Sequence, residues 1–366
     1  MRLAIVSQSA RIYAEMAKRE GFEVLAIDAF ADIDTLAAAE KVWRLPALCK
    51  QLNAADAKAL INKLDAWQPD FVLVGSGFEA NAEYYASLYK RYALPGNAPE
   101  VIEQVKNPFW LKAHCVRHRV VTPEVVSQAP QNGRWLYKIA GQSGGAHVRD
   151  WNKASALNAA NGYWQAFQSG LPVGALFVVS KNSITLIGVH ALKQRPGMYT
   201  YAGASRLHDE KLTQAMQELL DLVVPDSGLV GINSLDAIWQ DGRLHVLEIN
   251  PRLSASMRLY AELPLIQTQL SSCQGMEILE LNVYKTHASH CIAYAKQTLE
   301  INQAELPTWL EDRPENRTIE RGEPICSLYA EGPSKDAVQQ ILQDKKTQLE
   351  KLWGIYVCEH IEFNIH

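Results

Sequence analysis

The stretch VLEINPR, Val246 to Arg252, sets a carboxylate at Glu248 and an amide at Asn250 inside an otherwise apolar run. Side chains alternate along a strand, so residues i and i+2 share a face. Two hard oxygen donors therefore point the same way from a segment that reads as a buried strand. Just upstream, SLDAIWQ and RLHVLEI flank Asp241-Gly242, a hairpin turn signal. Register decides whether Asp236 joins the other two. A two-residue Asp-Gly loop pairs Asp236 with Leu247, on the opposite face. A three-residue loop, Gln240 to Gly242 with Gly242 left-handed, pairs Asp236 with Val246 and turns it toward Glu248 and Asn250. In that register Asp236, Glu248 and Asn250 make a site for Mg²⁺, or Mn²⁺, which takes few protein ligands and shares phosphate oxygens. The competing account is a hairpin with polar residues on a solvated face.

A second stretch, LYKIAGQSGGAHVR, favours the metal account. Lys138 sits on a strand, followed by a loop carrying Gly141, Ser143, Gly144 and Gly145. Glycines let backbone N–H groups approach phosphate oxygens, and a lysine adds a point charge. The loop is neither a P-loop nor a dinucleotide turn. A third stretch, YWQAFQSGLPVGALFVV, lies between these two. A segment bridging two domains offers backbone N–H and C=O groups to an adenine edge, and Gln165, Ala166 and Phe167 occupy that place.

The elements that must position these residues can be read along the chain. A chain of 366 residues exceeds one ordinary core, so two or three domains are expected. RLAIVSQS reads as a strand, ARIYAEMAKREG as a helix, FEVLAIDAF as a strand, Ala54 to Trp67 as a helix and FVLVGSGFE as a strand. The opening is thus a small parallel α/β domain, Rossmann-like, over residues 1–105. Gly75-x-Gly77 lacks the third glycine of a dinucleotide fingerprint and reads as a ligand-lining loop or a tight turn. A helix broken around Asn107-Pro108 follows. Short strands then dominate from Trp135, interrupted by a helix from His208 to Leu222, and a late helix runs from Ser334 to Leu352.

Composition narrows the function classes. The net charge is −4 and no basic run is present, so no nucleic-acid partner is expected. No apolar run approaches membrane-spanning length, and MRLAIVSQSA leads straight into a strand rather than a signal peptide. Six cysteines without a C-x-x-C pair point to reduced thiols and a cytoplasmic location. His287-Ala-Ser-His290 lacks further ligands nearby and reads as two ordinary polar residues near a strand.

Together, Lys106, the Lys138–Gly145 stretch, Tyr163–Gly170 and Asp236…Glu248-Ile-Asn250-Pro-Arg252 resemble the ATP-grasp ligases, in their biotin-carboxylase-like, carboxylate–amine ligase branch. The stretches ARIYAEMAKREGFEVLAIDAFADIDT and YAEGPS are similar to an ATP-grasp group associated with one-carbon cofactor genes (methanopterin, methylofuran) of methylotrophs. The resemblance implies an α/β (α+β grasp) architecture. The small domain would be followed by a lid at 106–166, a central antiparallel-sheet domain at 167–261 and an extension at 262–366. The extension would complete the central domain, cap the acceptor pocket or mediate a homodimer. Roles carried over are ATP phosphates on Lys106 and Lys138, a lid loop at Ser143, Gly144 and Gly145, and adenine at Gln165, Ala166 and Phe167. Asp236, Glu248 and Asn250 would ligate the metal, and Arg252 would steady the acceptor carboxylate or its acyl phosphate. Relatives often carry an acid where Ala166 stands, so the ribose contact must come from elsewhere, with Glu218 and His190 as candidates.

This set implies ligation. A carboxylate is a poor electrophile, and phosphorylating it with ATP gives an acyl phosphate that an amine can attack. The acceptor pocket is expected between the small domain's strand ends and the grasp, lined by Ser7, Ser9, Arg11 and Gly75 to Phe78, with Arg206 from YAGASR. Arg11 and Arg206 would hold a second carboxylate, as an amino acid demands. The substrates expected are a small carboxylate and a small amine, for example glutamate and tyramine. A small-molecule kinase, a biotin-carboxylase-like carboxylase component and a non-catalytic nucleotide sensor are the alternatives.

Overall fold

The computed structural model describes residues 1–79, 81–151, 161–181, 183–278, 281 and 286–353. The chain opens with β1 (Arg2–Ser7), α1 (Arg11–Arg19), β2 (Glu23–Asp28), α2 (Ile33–Ala38), β3 (Lys41–Arg44), α3 (Ala54–Trp67), β4 (Phe71–Val74) and α4 (Ala82–Arg91). These strands form a parallel sheet in the order β3-β2-β1-β4. Leu3, Ala4, Ile5 and Val6 of β1 are fully buried, as expected for a parallel strand covered on both faces. The start of α3 is fixed by Asn53 and Asp56, each side chain accepting from the other's backbone N–H.

Two helices follow, α5 (Pro99–Lys106) and α6 (Pro108–Arg117). The break between them is a cap. Asn107 Oδ1 accepts from the N–H groups of Phe109 and Trp110 at 2.9 and 3.2 Å, and Pro108 takes the first helical position, where no N–H is required. This holds Lys106 at the last residue of α5.

A small antiparallel sheet comes next, with strands β5 (Val125–Val126), β6 (Trp135–Ile139), β7 (Arg149–Asp150) and β8 (Gly162–Ala166) in the order β5-β8-β6-β7. The chain then builds a seven-stranded antiparallel sheet. Its strands are β9 (Leu171–Ser180), β10 (Ser183–Gln194), β11 (Tyr201–Arg206), β12 (Gly231–Gln240) and β13 (Arg243–Asn250), with α7 (Glu210–Val223) inserted after β11 and α8 (Leu265–Cys273) following β13. Beyond them come β14 (His287–Tyr294), β15 (Leu299–Ile301), β16 (Arg317–Ile319), β17 (Pro324–Gly332) and α9 (Lys335–Trp353). The large sheet runs β13-β12-β9-β10-β11-β14-β17, while β15 and β16 pair separately. HASHCIAY, expected near a strand, and PICSLYAEG are both strands of the central sheet. Among the described residues no helix is long and apolar enough to cross a membrane.

The two faces of the large sheet carry different cores. Val173, Ala175, Phe177, Val189, Leu235 and Ile249 pack against Leu212, Met216 and Leu220 of α7. Leu176, Val178, Ile187 and Ile232 face the other way, toward Met257 and Tyr260 of a 3-10 turn and toward α1 and α8. Asp236, Glu248 and Asn250 stand on this second face. Glu218, on the exposed side of α7 and bonded to Gln214 at 2.9 Å, lies across the sheet from it and is removed as a ribose candidate.

The hairpin solves its register in a way neither loop length alone provides. Gln240 pairs with Arg243, so the loop has two residues, Asp241 and Gly242, at φ 49° and 75°. These are the left-handed values of a tight hairpin turn. A bulge then shifts the ladder between Asp236 and Ala237, so that Asp236 faces Glu248 directly. The extra residue on β13 converts the wrong face into the right one.

The carboxy-terminal part is tied to the amino-terminal sheet by a buried ion network. Arg11 donates to Asp312 at 2.6 Å and to Glu15 and Glu311 at 2.8 Å. Arg258 donates to Asp312 at 2.9 Å and approaches Glu311 at 3.3 Å. The expectation that Arg11 receives a substrate carboxylate is thereby corrected: its guanidinium already holds three carboxylates of the chain. Burial alone would raise the Asp312 carboxyl, but Arg11 and Arg258 outweigh it and hold it well below the usual range. Its folded pKa is depressed, so its stabilisation is present above the unfolded value near ~4 and is lost as pH falls through the folded value. Asp312→Asn is expected to lower unfolding stability by about 2 kcal/mol between pH 8 and 5, below the usual figure for a broken buried pair, because 21% of the side chain reaches solvent. The gap between variant and wild type should close on acidification, which urea unfolding at stepped pH would measure.

Candidate active site

Three segments converge on the second face of the sheet: the end of α5, the hairpin of β12 and β13, and β6 of the small antiparallel sheet. Lys106 Nζ lies 3.3 Å from Glu248 Oε2 and 3.2 Å from Asn250 Oδ1. Asn250 Nδ2 donates to Asp236 Oδ2 at 3.3 Å and to Glu248 Oε1 at 3.4 Å. The expected ligand trio is therefore one cluster, and an ammonium sits among its oxygens. Burial pushes the Asp236 carboxyl up, helped by the charge and hydrogen bond of Glu248. Burial would do the same to Glu248, yet Lys106 and Lys138 outweigh it and hold Glu248 down. The two carboxyls are thus pushed in opposite directions and titrate as a pair. Glu248 nonetheless leaves 40% of its side chain open to the cleft. Lys138, on β6, is depressed by burial, with the charge of Lys106 adding and those of Glu248 and Asp236 opposing.

Arg252 leaves the end of β13 to meet a residue that sequence reasoning passed over. Its Nε donates to Glu79, which also accepts from the Gly77 N–H at 2.8 Å. Glu79 follows Gly75 and Gly77 beyond β4, so the loop expected to line a ligand instead supplies the counter-ion of the arginine. Burial would raise Glu79, but Arg252 and then Lys106 outweigh it and hold it down. An acid just past the end of an apolar strand, as in FVLVGSGFE, was the available signal. Gly75 itself backs onto Ser7, where a Cβ would come within 2.4 Å of the hydroxyl. Ser9 lies half-buried in the turn between β1 and α1.

The loop at Ser143, Gly144 and Gly145 is docked on the turn between β10 and β11. Tyr201 N–H donates to the Gly144 carbonyl at 3.0 Å. Gly145, at φ 74°, has no room for a side chain, since a Cβ would sit 1.9 Å from the Tyr199 carbonyl oxygen. Gly145→Ala is expected to undock the loop and raise KM for ATP about tenfold, equivalent to ~1.4 kcal/mol of lost closure, measurable from initial rates. His147, on the same loop and not anticipated, is held below its ordinary range by burial, with the charge of Glu248 opposing and those of Lys138 and Lys106 adding.

The bridging segment lies where expected but is differently committed. Gln165 is buried in β8 between Leu136 and Val125. The N–H groups of Ala166 and Phe167 already donate to the Glu124 and Arg134 carbonyls at 2.8 and 2.9 Å, and Arg134 lies 3.6 Å over the Phe167 ring. Those two N–H groups are thus unavailable to an adenine edge. Arg206 is also corrected. Its side chain is only 2% exposed and donates to the carbonyls of Thr286 and Leu259, so it holds the sheet together rather than a free carboxylate. His290 accepts or donates at 2.9 Å with the Tyr201 hydroxyl, and His287 packs edge-on against His208. Among the described residues no group of three or more His, Cys, Asp or Glu could hold a metal; the trio here comprises two carboxylates and an amide.

The fold that carries this cluster is found in known proteins. Residues 109–256 match the ATP-grasp domain. No curated protein sequence matches the chain. Solved structures match over nearly its whole length. Biotin carboxylase from Campylobacter jejuni, in a β-γ-ATP complex, is 13% identical with a TM-score of 0.72, over 95% of this chain and 90% of that one. The biotin carboxylase domain dimer of 2-oxoglutarate carboxylase from Hydrogenobacter thermophilus, with MgADP and bicarbonate, is 11% identical with a TM-score of 0.69, over 95% and 89%. L-amino acid ligase from Bacillus licheniformis is 13% identical with a TM-score of 0.69, over 94% and 96%. The α/β architecture, with its parallel amino-terminal sheet and antiparallel ATP-grasp sheets, is thus the fold of ATP-grasp ligases and carboxylases.

Proposed function

We infer that the chain is an ATP- and Mg²⁺-dependent carboxylate–amine ligase that forms an amide through an acyl phosphate. The observation that carries this reading is the Asp236, Glu248 and Asn250 cluster with Lys106 at 3.2–3.3 Å from two of its oxygens. Hard oxygens that already hold an ammonium suit a small divalent cation, which would take two or three protein ligands and complete its shell with phosphate and water. When bound, Mg²⁺ supplies neutralisation of the charge on the transferring phosphoryl group. Lys106 would then turn from the carboxylates to the phosphates, joined by Lys138 from the opposite sheet. The loop at Ser143 to Gly145 covers the reacting groups and keeps water from the acyl phosphate.

Arg252, fixed by Glu79, stands beside the metal cluster and neutralises the acceptor carboxylate. A carboxylate oxygen attacks the γ-phosphorus, ADP leaves, and the amine then displaces phosphate from the acyl carbon. Within this reading, glutamate and tyramine are the first pair to test, in a step that builds a one-carbon carrier. The stretches at 10–35 and 329–334, similar to the methylotroph group, support that refinement. The cytoplasm is the compartment proposed, in keeping with the five described cysteines all being free.

The test is ADP release with Mg²⁺, a panel of carboxylates including glutamate and bicarbonate, and a panel of amines including tyramine. A ligase releases ADP only when both partners are present. Turnover with a carboxylate alone and a stable phosphorylated product would replace the reading with a kinase. Turnover with bicarbonate alone would replace it with a carboxylase component.

A further inference from the structure

One row of residues crosses five strands of the central sheet beside the metal cluster. Glu248 pairs with Asp236, Asp236 with Gly174, Gly174 with His190, and His190 with Arg206. Directly paired residues share a face, so the whole row lies on the side that carries the site. Gly174 is the gap in it. A Cβ at that position would sit 2.5 Å from His190 Nε2 and 3.0 Å from its Cδ2, which means the imidazole leans across the glycine toward Asp236. Strands are spaced by about 4.8 Å, so Nε2, lying over β9, is about one strand from the carboxylate row.

His190 is 1% exposed, and its ring packs 6.2 Å from that of Tyr260. Its Nδ1 is buried without a partner. A buried imidazole calls for a partner on at least one nitrogen, and Nε2 is the one that lies over Gly174. Burial keeps the ring neutral, pushing its pKa down to about 3. Buried donors are left unpaired more rarely than acceptors, so the proton belongs on Nε2, the nitrogen over the glycine.

We propose that His190 is a binding residue for the acceptor, donating from Nε2 to the carboxylate that is phosphorylated while Arg252 meets that carboxylate from the β13 side. The proposal rests on the ligase reading. A neutral donor orients the carboxylate without adding a second full positive charge, so the attacking oxygen keeps its electron density. Gly174 is the companion requirement, because any side chain there displaces the imidazole.

The experiment uses the full chain labelled with ¹⁵N-histidine, the His190 ring resonances being assigned by their loss in His190→Asn. Sodium acetate, the simplest carboxylate, and then L-glutamate are titrated with and without the Mg²⁺ complex of a non-hydrolysable ATP analogue. A saturable movement of the Nε2 resonance is expected. A His190 resonance that stays in place through both titrations overturns the proposal. In turnover, His190→Asn and Gly174→Ala are each expected to raise KM for the carboxylate about tenfold, the loss of one hydrogen bond to a charged group, and to leave KM for ATP within about twofold. Equal rises in both constants would mean a structural role and would also overturn it. Failure of the nucleotide analogue to bind would remove the ligase reading instead, and the acetate titration of nucleotide-free protein would still decide His190.

Discussion

Arg252→Ala is expected to lower kcat/KM by about 10²–10³-fold, the range seen when one donor to a developing charge is removed. The fold should suffer as well. Glu79 keeps only 9% of its side chain exposed, and removing its guanidinium leaves a buried charge without a partner, which costs about 3–5 kcal/mol. The two effects can be separated. Glu79→Gln with Arg252→Gln replaces the ion pair by two neutral amides and should recover most of the lost stability in urea unfolding while activity stays low. Recovery of both together would mean that Arg252 acts only by holding β13 to the amino-terminal domain.

Glu248→Ala carries the other large effect. Its carboxylate belongs to the Asp236, Glu248 and Asn250 cluster proposed to hold the metal and pairs with Lys106 at 3.3 Å. Loss of metal-based neutralisation removes several kcal/mol from the transition state, which at ~1.4 kcal/mol per tenfold amounts to about 10³-fold in turnover. Stability should also fall, since Lys106, with only 11% of its side chain exposed, loses its counter-ion. At a temperature where the variant remains folded, it is expected to lose Mg²⁺-dependent nucleotide binding, which calorimetry with MgADP would read directly. Unaltered MgADP affinity would contradict the assignment of Glu248 as a ligand.

Local chemistry was legible where the sequence carries it locally. Asn107-Pro108 announces a helix break because an asparagine cap and an N1 proline act within a few residues. Asp241-Gly242 announces a tight turn for the same reason. The bulge that brings Asp236 opposite Glu248 is not local, because it is set by how β12 pairs with β9 as well as with β13. Shared chemistry of the three oxygen side chains pointed to the right face while the register behind it was different. Partners far along the chain were the least legible. Arg11 reads as a free cation until Glu311 and Asp312, some three hundred residues on, are brought to it. Arg206 is consumed by carbonyls at Leu259 and Thr286. Glu79 and His190 acquire meaning only through Arg252 and Gly174, which no spacing rule links to them.

Oxygen transfer tests the acyl phosphate most directly. With both carboxylate oxygens of the acceptor labelled with ¹⁸O, the wild-type enzyme, ATP, Mg²⁺ and an amine should yield inorganic phosphate carrying one labelled oxygen for each amide formed. That oxygen is the one that attacked the γ-phosphorus and then left with phosphate. Amide formation that releases only unlabelled phosphate would contradict the account, since the carboxylate could not then have been activated by phosphoryl transfer at this site.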